Sequence, residues 1–496
     1  MDTKLSIDTR QSVQFSQSSR TGFRFFGNRT RFVMLVLVLL CLTSNWSSIL
    51  AFNFALICHI DNTKNIQPTD DPANSTFFEP ERLSTRFNAL ERSYLTAIVA
   101  ASALVGNIGV VLWVNHHGIR VIFTIAGLIS ALSTFLLPTA IKTGLAFSTN
   151  FPVIGAFTSR WACHRNNGLF VSTLVAYVQL SPTLTNPISG ALCTSTFHWP
   201  SVFYFHGAFA IVVFVLFGLF YRNNPKKHPL VSVDEFQTIS VGKLTITDKK
   251  QIRQIPYIAI LKTASVWAVY FGAIANFAAV NMMFLYGPTY ASKVLGFQVD
   301  HSGFLTALAP LSMFCLKIFA GVSSDRIRCL NETNKLRLFN SISFCGGAAW
   351  MCLVAFLPVT RPYISCKTIE LTISTLILVL IYDCAAATIG FSTGGFFKAA
   401  GLVSKHYSHF VVGNFTFAVS VTMLIVPFMV NIVAPDSTAI QWRWVFLITA
   451  SVLVVANLLF AILCSSEAAW WTKEQKTSVT AHDAPSKTPL PWSTAH

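Results

Sequence analysis

The sequence predicts an all-α polytopic membrane protein built as two six-helix bundles, twelve transmembrane helices in all. Composition is the first reason. Of 496 residues, 53% are hydrophobic and only 11% charged, with 43 Phe, against about 25% charged in soluble domains, and mean hydropathy is +0.56. Spacing is the second: apolar runs long enough to cross a bilayer recur along the chain. A span takes about 20 residues, so twelve use roughly 240 and leave half the chain for loops and tails. Charge is the third, because the basic residues collect in alternate loops. The formal charge of +16 does not mark a nucleic-acid partner, since these residues are dispersed and form no zinc-finger or RNP-like pattern. The partners expected are a lipid bilayer and a small-molecule substrate.

The elements follow in order. Residues 1-31 form a hydrophilic tail in which Lys4, Arg10, Arg20, Arg24, Arg29 and Arg31 outnumber Asp2 and Asp8, which places it in the cytoplasm. The first bundle covers 32-221, with spans at 32-59, 93-114, 119-141, 168-191 and 200-221. Its fourth span, Gly144 to Ser159, is short and carries Ser148, Thr149, Asn150 and Pro152. Keeping this shortened helix 4 holds the basic stretch 222-264 in the cytoplasm as the linker between bundles. The second bundle, 265-464, contains spans at 265-287, 302-324, 338-357, 368-391, 408-433 and 443-464, and 465-496 is a cytoplasmic tail. The first run is too long for a cleaved signal peptide and lacks a small-residue cleavage site, so it is expected to remain as a helix.

The 61-92 loop is predicted to be non-cytoplasmic, and the sequon Asn74-Ser75-Thr76 makes Asn74 the glycosylation candidate. Other sequons, at Asn28, Asn45, Asn331 and Asn414, fall in spans or cytoplasmic segments and read as chance matches. Eleven cysteines occur without a C-x-x-C pair. Cys41, Cys58, Cys315, Cys345, Cys384 and Cys464 fall in apolar stretches and read as buried thiols, so no metal site is expected. No G-x-x-x-x-G-K-S/T, H-E-x-x-H or G-x-S-x-G occurs. ATP-driven pumping and enzymatic chemistry are disfavoured, and no cofactor is expected.

Ionisable groups inside a span cost about 2.5-3.5 kcal/mol on insertion scales, so each is a functional candidate. Asp383, mid-span in Leu380-Ile381-Tyr382-Asp383-Cys384, reads either as a coupling carboxylate or as an acid bonded to a neighbouring helix. Lys317, in Cys315-Leu316-Lys317-Ile318, has three readings: a snorkelling side chain, a partner of Asp383 or Asp325, or an anion ligand. Trp46 and Asn53 in the first span, with Thr43, Ser44, Asn45, Ser47 and Ser48, and Asn276 and Asn281 in the seventh, read as cavity lining or as helix-helix hydrogen bonding. Ser181-Pro182, Asn186-Pro187 and Gly190 suggest a kinked gating helix or close packing. His206 reads as interfacial or packed.

Two turns repeat a motif at corresponding places. Gly321-Val322-Ser323-Ser324-Asp325-Arg326 follows the eighth span, and Asn115-His116-His117-Gly118-Ile119-Arg120 follows the second. With six spans, a basic linker and six more, they resemble the cytoplasmic gate G-x-x-x-D-R/K-x-G-x-R/K of major facilitator transporters. Gly118, Arg120, Gly321, Asp325 and Arg326 are the gate candidates; in the family, the acid-base pair holds the halves together. His198-Trp199-Pro200-Ser201-Val202-Phe203-Tyr204, Ser265-Val266-Trp267-Ala268, Pro288-Thr289-Tyr290, Leu336-Arg337-Leu338-Phe339-Asn340 and Trp442-Arg443-Trp444-Val445-Phe446 further resemble the anion:cation symporters, which include sodium-phosphate cotransporters, sialin and vesicular glutamate carriers. The resemblance implies the major facilitator fold and cation-coupled, alternating-access transport of an organic anion or phosphate at a plasma, lysosomal or vesicular membrane. The arginines that members carry in helices 1 and 7 are absent here, as are the helix 10 histidine and the R-x-x-Q-G that opens helix 4. The alternative is therefore a transport-inactive, divergent or incomplete relative.

Overall fold

The computed structural model describes residues 29-61, 93, 94, 97, 101, 119-143, 173-225, 228-240, 256-327, 329-357 and 368-472. In chain order its main helices are α1 (Thr30–Asp61), α2 (Ile119–Thr143), α3 (Tyr177–Thr194) and α4 (His198–Phe220). A short amphipathic helix, α5 (Val233–Ser240), follows in the linker. The second half contributes α6 (Ala264–Thr289), α7 (Val299–Arg326), α8 (Glu332–Phe356), α9 (Thr368–Ile389), α10 (Phe396–Ser404), α11 (Phe415–Val433) and α12 (Ala439–Leu463). Nine helical stretches among the described residues are long and apolar enough to cross a membrane. Most of the second span, the shortened fourth, Asn74 and Gly118 lie outside the described residues.

Helix ends fall within a few residues of the apolar runs because hydrocarbon leaves every backbone N–H and C=O to be satisfied inside the helix. The starts of α3, α8 and α11 are further from the predicted 168, 338 and 408, and one boundary differs in kind. The predicted end of span ten at 391 is a break, not an exit: α9 passes through a 3₁₀ turn, Gly390–Gly394, and continues as α10 to Ser404. The glycines there are contact sites. A Cβ at Gly390 would lie 2.7 Å from the Met313 carbonyl, and one at Gly395 would lie 2.9 Å from Asn340 Cα, so the broken segment is pressed onto α7 and α8. The freed Ile389 carbonyl accepts from Ser343 Oγ at 2.9 Å.

The apolar core is divided. One cluster joins α6 to α12 with Trp46, Ile49, Leu50 and Val178 from the first half; another packs α1, α2 and α4 around Phe123, Phe214 and Phe217. Polar residues stitch the first half internally. Asn45 accepts from Ser130 Oγ at 2.9 Å, and Ser47 bonds Ser181 at 2.9 Å, so these two serve helix packing rather than a cavity. His206 is buried against Ser189 at 3.2 Å. The cysteine expectation needs correction: Cys58 is no thiol but is bonded to Cys193 across the ends of α1 and α3. Of the others, Cys41 and Cys464 are buried, whereas Cys315, Cys345 and Cys384 are exposed on faces that a bilayer would cover.

At the opposite end, α1 is tied to the linker. Thr30 Oγ1 donates to the Leu230 carbonyl at 2.8 Å, and the Arg31 N–H donates to Glu235 Oε1 at 2.8 Å. His228 organises this corner: its Nδ1 accepts from the Leu230 N–H at 3.2 Å, so Nε2 carries the proton and donates to the Phe220 carbonyl at 3.0 Å. Burial, aided by the Arg222 charge and opposed by the Phe220 bond and Glu235, holds the His228 pKa below the ordinary histidine value. A depressed histidine takes up its proton less readily folded than unfolded, so the stability it contributes is present above the ordinary value and is lost as pH falls below it. Thermal melts between pH 7.5 and 5.5 should therefore show a declining midpoint, and the decline should be shallower in His228→Gln. A midpoint that rises on acidification would contradict this assignment.

Candidate functional site

The two halves meet most closely between α3 and α7. A Cβ on Gly303 would fall 2.4 Å from the Asn186 carbonyl, and one on Gly190 would fall 3.2 Å from Asp300 Cα. Asn186 Nδ2 donates to Thr306 Oγ1 at 3.2 Å, and Gln179 Nε2 approaches Met313 Sδ at 3.8 Å. Ser93 Oγ donates to the Pro427 carbonyl at 3.3 Å and accepts from Asn431 Nδ2 at 2.9 Å. These bonds join the halves at mid-depth or towards the Cys58 end. Among the described residues, none of these four bonds lies at the Thr30 end. Small residues and prolines in α3 thus act at a seam: Pro182 and Pro187 lie within the helix, and its glycine admits the α7 backbone.

Below the seam, several buried polar groups have no hydrogen-bond partner among the described residues: Trp46 Nε1, Gln179 Oε1, both amide atoms of Asn276, and Ser392 Oγ. Contacts link their helices around one level. Trp46 meets Tyr177 edge-on at 5.9 Å; Met313, beside Gln179, abuts Gly390. Phe277, next to Asn276, meets Phe397 at 6.3 Å. Lys317 completes the level, with its Nζ 5.6 Å from the Phe397 ring centroid and its backbone N 3.2 Å from the position of a Gly390 Cβ. Asn276 is 0% exposed, and an amide buried without partners costs about 1-3 kcal/mol per group. That penalty is relieved when a polar solute or water enters.

The predicted candidates therefore separate. Among the described residues, Trp46 and Asn276 carry unpartnered buried polar atoms, and Lys317 lies against the Phe397 ring. Asn281 instead donates to Thr422 Oγ1 at 3.0 Å, the helix-helix reading, and Asn53 Nδ2 donates back to the Ile49 carbonyl at 3.2 Å. Gln179 and Ser392 were not predicted; a glutamine inside an apolar span was the available signal for the first. Lys317 makes no ion pair with Asp383 or Asp325, which corrects the pairing expectation. Asp383 is 5% exposed with neither carboxylate oxygen hydrogen-bonded. It lies seven residues before Gly390, two turns along the same face and about 10 Å nearer the Cys58 end. Its neighbour Tyr382 faces α6, donating to the Met283 carbonyl at 2.7 Å.

The gate residues also differ from expectation. Asp325 pairs with Lys398 Nζ at 2.8 Å rather than with Arg326. Lys398 also reaches Glu332 at 3.7 Å, Glu332 pairs with Lys335, and Lys335 donates to the Ile327 carbonyl at 3.0 Å. This network ties α10 to α7 and α8 within the second half. Gly321 lies in ordinary contact with Thr393. Arg120 donates through Nε to the Gly218 carbonyl at 2.8 Å, and its backbone N–H donates to Asn223 Oδ1 at 2.9 Å, which joins α2 to the end of α4.

A family profile described as Major Facilitator Superfamily matches residues 38-427. The chain belongs to the Major Facilitator Superfamily. Among curated proteins it is similar to an uncharacterized transporter of Caenorhabditis elegans, at 26% identity over 76% of this chain and 79% of that one. It is also 26% identical to human sialin and to human sodium-dependent phosphate transport protein 1, over 66% and 64% of this chain. The match spans 63% and 65% of those two proteins, under two thirds of their length. Among solved structures, a D-xylose-proton symporter aligns with a TM-score of 0.60 at 12% identity, covering 88% of this chain and 98% of that one. A bacterial homologue of the human lysosomal transporter Spinster aligns equally well, with a TM-score of 0.60 at 12% identity over 87% and 96%.

Proposed function

We propose that this protein is a secondary active transporter that moves a small organic anion or phosphate, driven by a co-transported cation. One observation carries the reading: Lys317 and Asp383 both lie inside spans, and neither has an ion partner among the described residues. Charges are kept in such places when they act on cargo. Lys317 supplies the positive charge for an anion, in place of the arginines this chain lacks. Asp383 takes a proton or Na⁺, either of which neutralises it while the halves exchange places. The Thr30 end, with the basic tail and linker, faces the cytoplasm. Anion-transporting relatives, sialin and the sodium-dependent phosphate protein among them, support the substrate class.

The test is uptake of labelled phosphate and organic anions into proteoliposomes under imposed Na⁺ or H⁺ gradients. Lys317→Met keeps the side-chain length without the charge. It should raise the half-saturating anion concentration about tenfold or more, since a hydrogen bond to a charged group contributes about 1.5-3 kcal/mol. Unchanged half-saturation would remove Lys317 from the anion site. No uptake of any anion by folded wild-type protein would favour the transport-inactive relative.

A further inference from the structure

A second cavity lies apart from the central level, towards the Cys58 end of the second half. Tyr290, Val294, Val354, Ala355, Leu357, Ala439, Ile440, Trp442, Arg443 and Phe446 enclose about 60 Å³ between the end of α6, the end of α8 and the start of α12. Its polar equipment is one-sided. Trp442 is 1% exposed, and its Nε1, a donor only, has no hydrogen-bond partner among the described residues. Arg443 donates through Nε to the Ala355 carbonyl at 2.9 Å and lies 5.7 Å from the Phe356 ring centroid. The lining contains no carboxylate or amide side chain to answer these donors. One wall is a π-helical turn, Tyr290–Val294, a local distortion that occurs frequently at functional sites. Tyr290 packs on Trp442 at 5.3 Å and on Phe446 at 5.1 Å.

We infer that this cavity binds the anionic headgroup of a membrane amphiphile, a phosphate or carboxylate held by Trp442 Nε1 and the Arg443 guanidinium. The volume admits a headgroup-sized cluster of oxygens, not a whole solute, since a single water takes about 10-15 Å³ of such space. The rim supplies the place for a tail: Phe356 is 63% exposed, Ile440 69% and Trp444 58%. In a membrane protein such an apolar flank faces acyl chains, and tryptophans mark the headgroup level. The bound head would brace the π turn. Through the stack of Tyr290 on Tyr382 at 5.8 Å, it would also reach the residue beside Asp383. The inference needs only a membrane setting and does not depend on the transported substrate.

The test uses full-length protein purified in phosphatidylcholine nanodiscs, with phosphatidic acid added at graded fractions and retained lipid read by native mass spectrometry. Wild type should retain phosphatidic acid over phosphatidylcholine and gain thermal stability from it. Trp442→Phe, which keeps an aromatic ring but loses the N–H, and Arg443→Gln should each weaken retention about tenfold. Arg443 is exposed, so its variant carries the test if Trp442→Phe does not fold. Equal retention of both lipids, or variants that retain phosphatidic acid like wild type, would overturn the inference. Inorganic phosphate that stabilises wild type as strongly as the lipid, with loss in both variants, would assign the cavity to a soluble anion and overturn the lipid assignment.

Discussion

Asp383→Asn should abolish gradient-driven accumulation while leaving exchange of substrate across the membrane measurable. The carboxylate is buried with both oxygens unbonded among the described residues, so an ionised form there would lack compensation, and in the proposed coupling role a proton or cation neutralises it. Asparagine is close to isosteric and permanently neutral. It removes the need for the cation and, with it, the link between gradient and cargo. Accumulation in proteoliposomes under the driving gradient should fall at least tenfold. Counterflow of labelled against unlabelled substrate should fall much less. Whichever gradient loses its effect identifies the coupling ion. Equal accumulation by variant and wild type would exclude Asp383 from coupling.

Gly303→Ala should shift the molecule away from the state described here. The added methyl would meet the Asn186 carbonyl at 2.4 Å, and neither backbone can yield while α3 and α7 stay packed. Overpacking of this kind costs about 1-3 kcal/mol, which changes the ratio of closed to open forms by about 5-150-fold. Thr306→Cys offers the readout, because that position is buried in the seam. A membrane-impermeant thiol reagent added on the Cys58 side should label it faster when Gly303→Ala is present. Gly401→Ala provides the control, since a Cβ there meets nothing within 4 Å. Identical labelling rates in all three backgrounds would mean that the seam does not gate access.

The chain disclosed its helices better than its contacts. Span positions were legible because hydrocarbon thickness sets a length and the absence of water enforces apolar side chains, both local properties. The continuation of α9 through Gly390–Gly394 was not, since glycines that permit close packing and glycines that end a helix look alike in a sequence. Asp325 stands beside Arg326 in the chain yet pairs with Lys398, 73 positions away. A lone lysine in the otherwise apolar Phe396-Phe397-Lys398-Ala399-Ala400 stretch was the only hint. Within the site, residue type flagged Lys317, Asp383 and Asn276. Whether each had a partner depended on neighbouring helices: Asn281 and Asn276 are five residues apart on α6, and only Asn281 meets a threonine.

The bond between Cys58 and Cys193 has a mechanical consequence. It makes the tips of α1 and α3 one body, so α3 cannot peel from α7 by bending alone; α1, whose Phe54 also touches the Gly303 site, travels with it. A 32-residue helix is a lever about 48 Å long, and its far end is fastened to the linker through Thr30 and Arg31. Parting the seam therefore tugs on α5. A reporter placed on the linker would register gate opening from the opposite side of the bilayer.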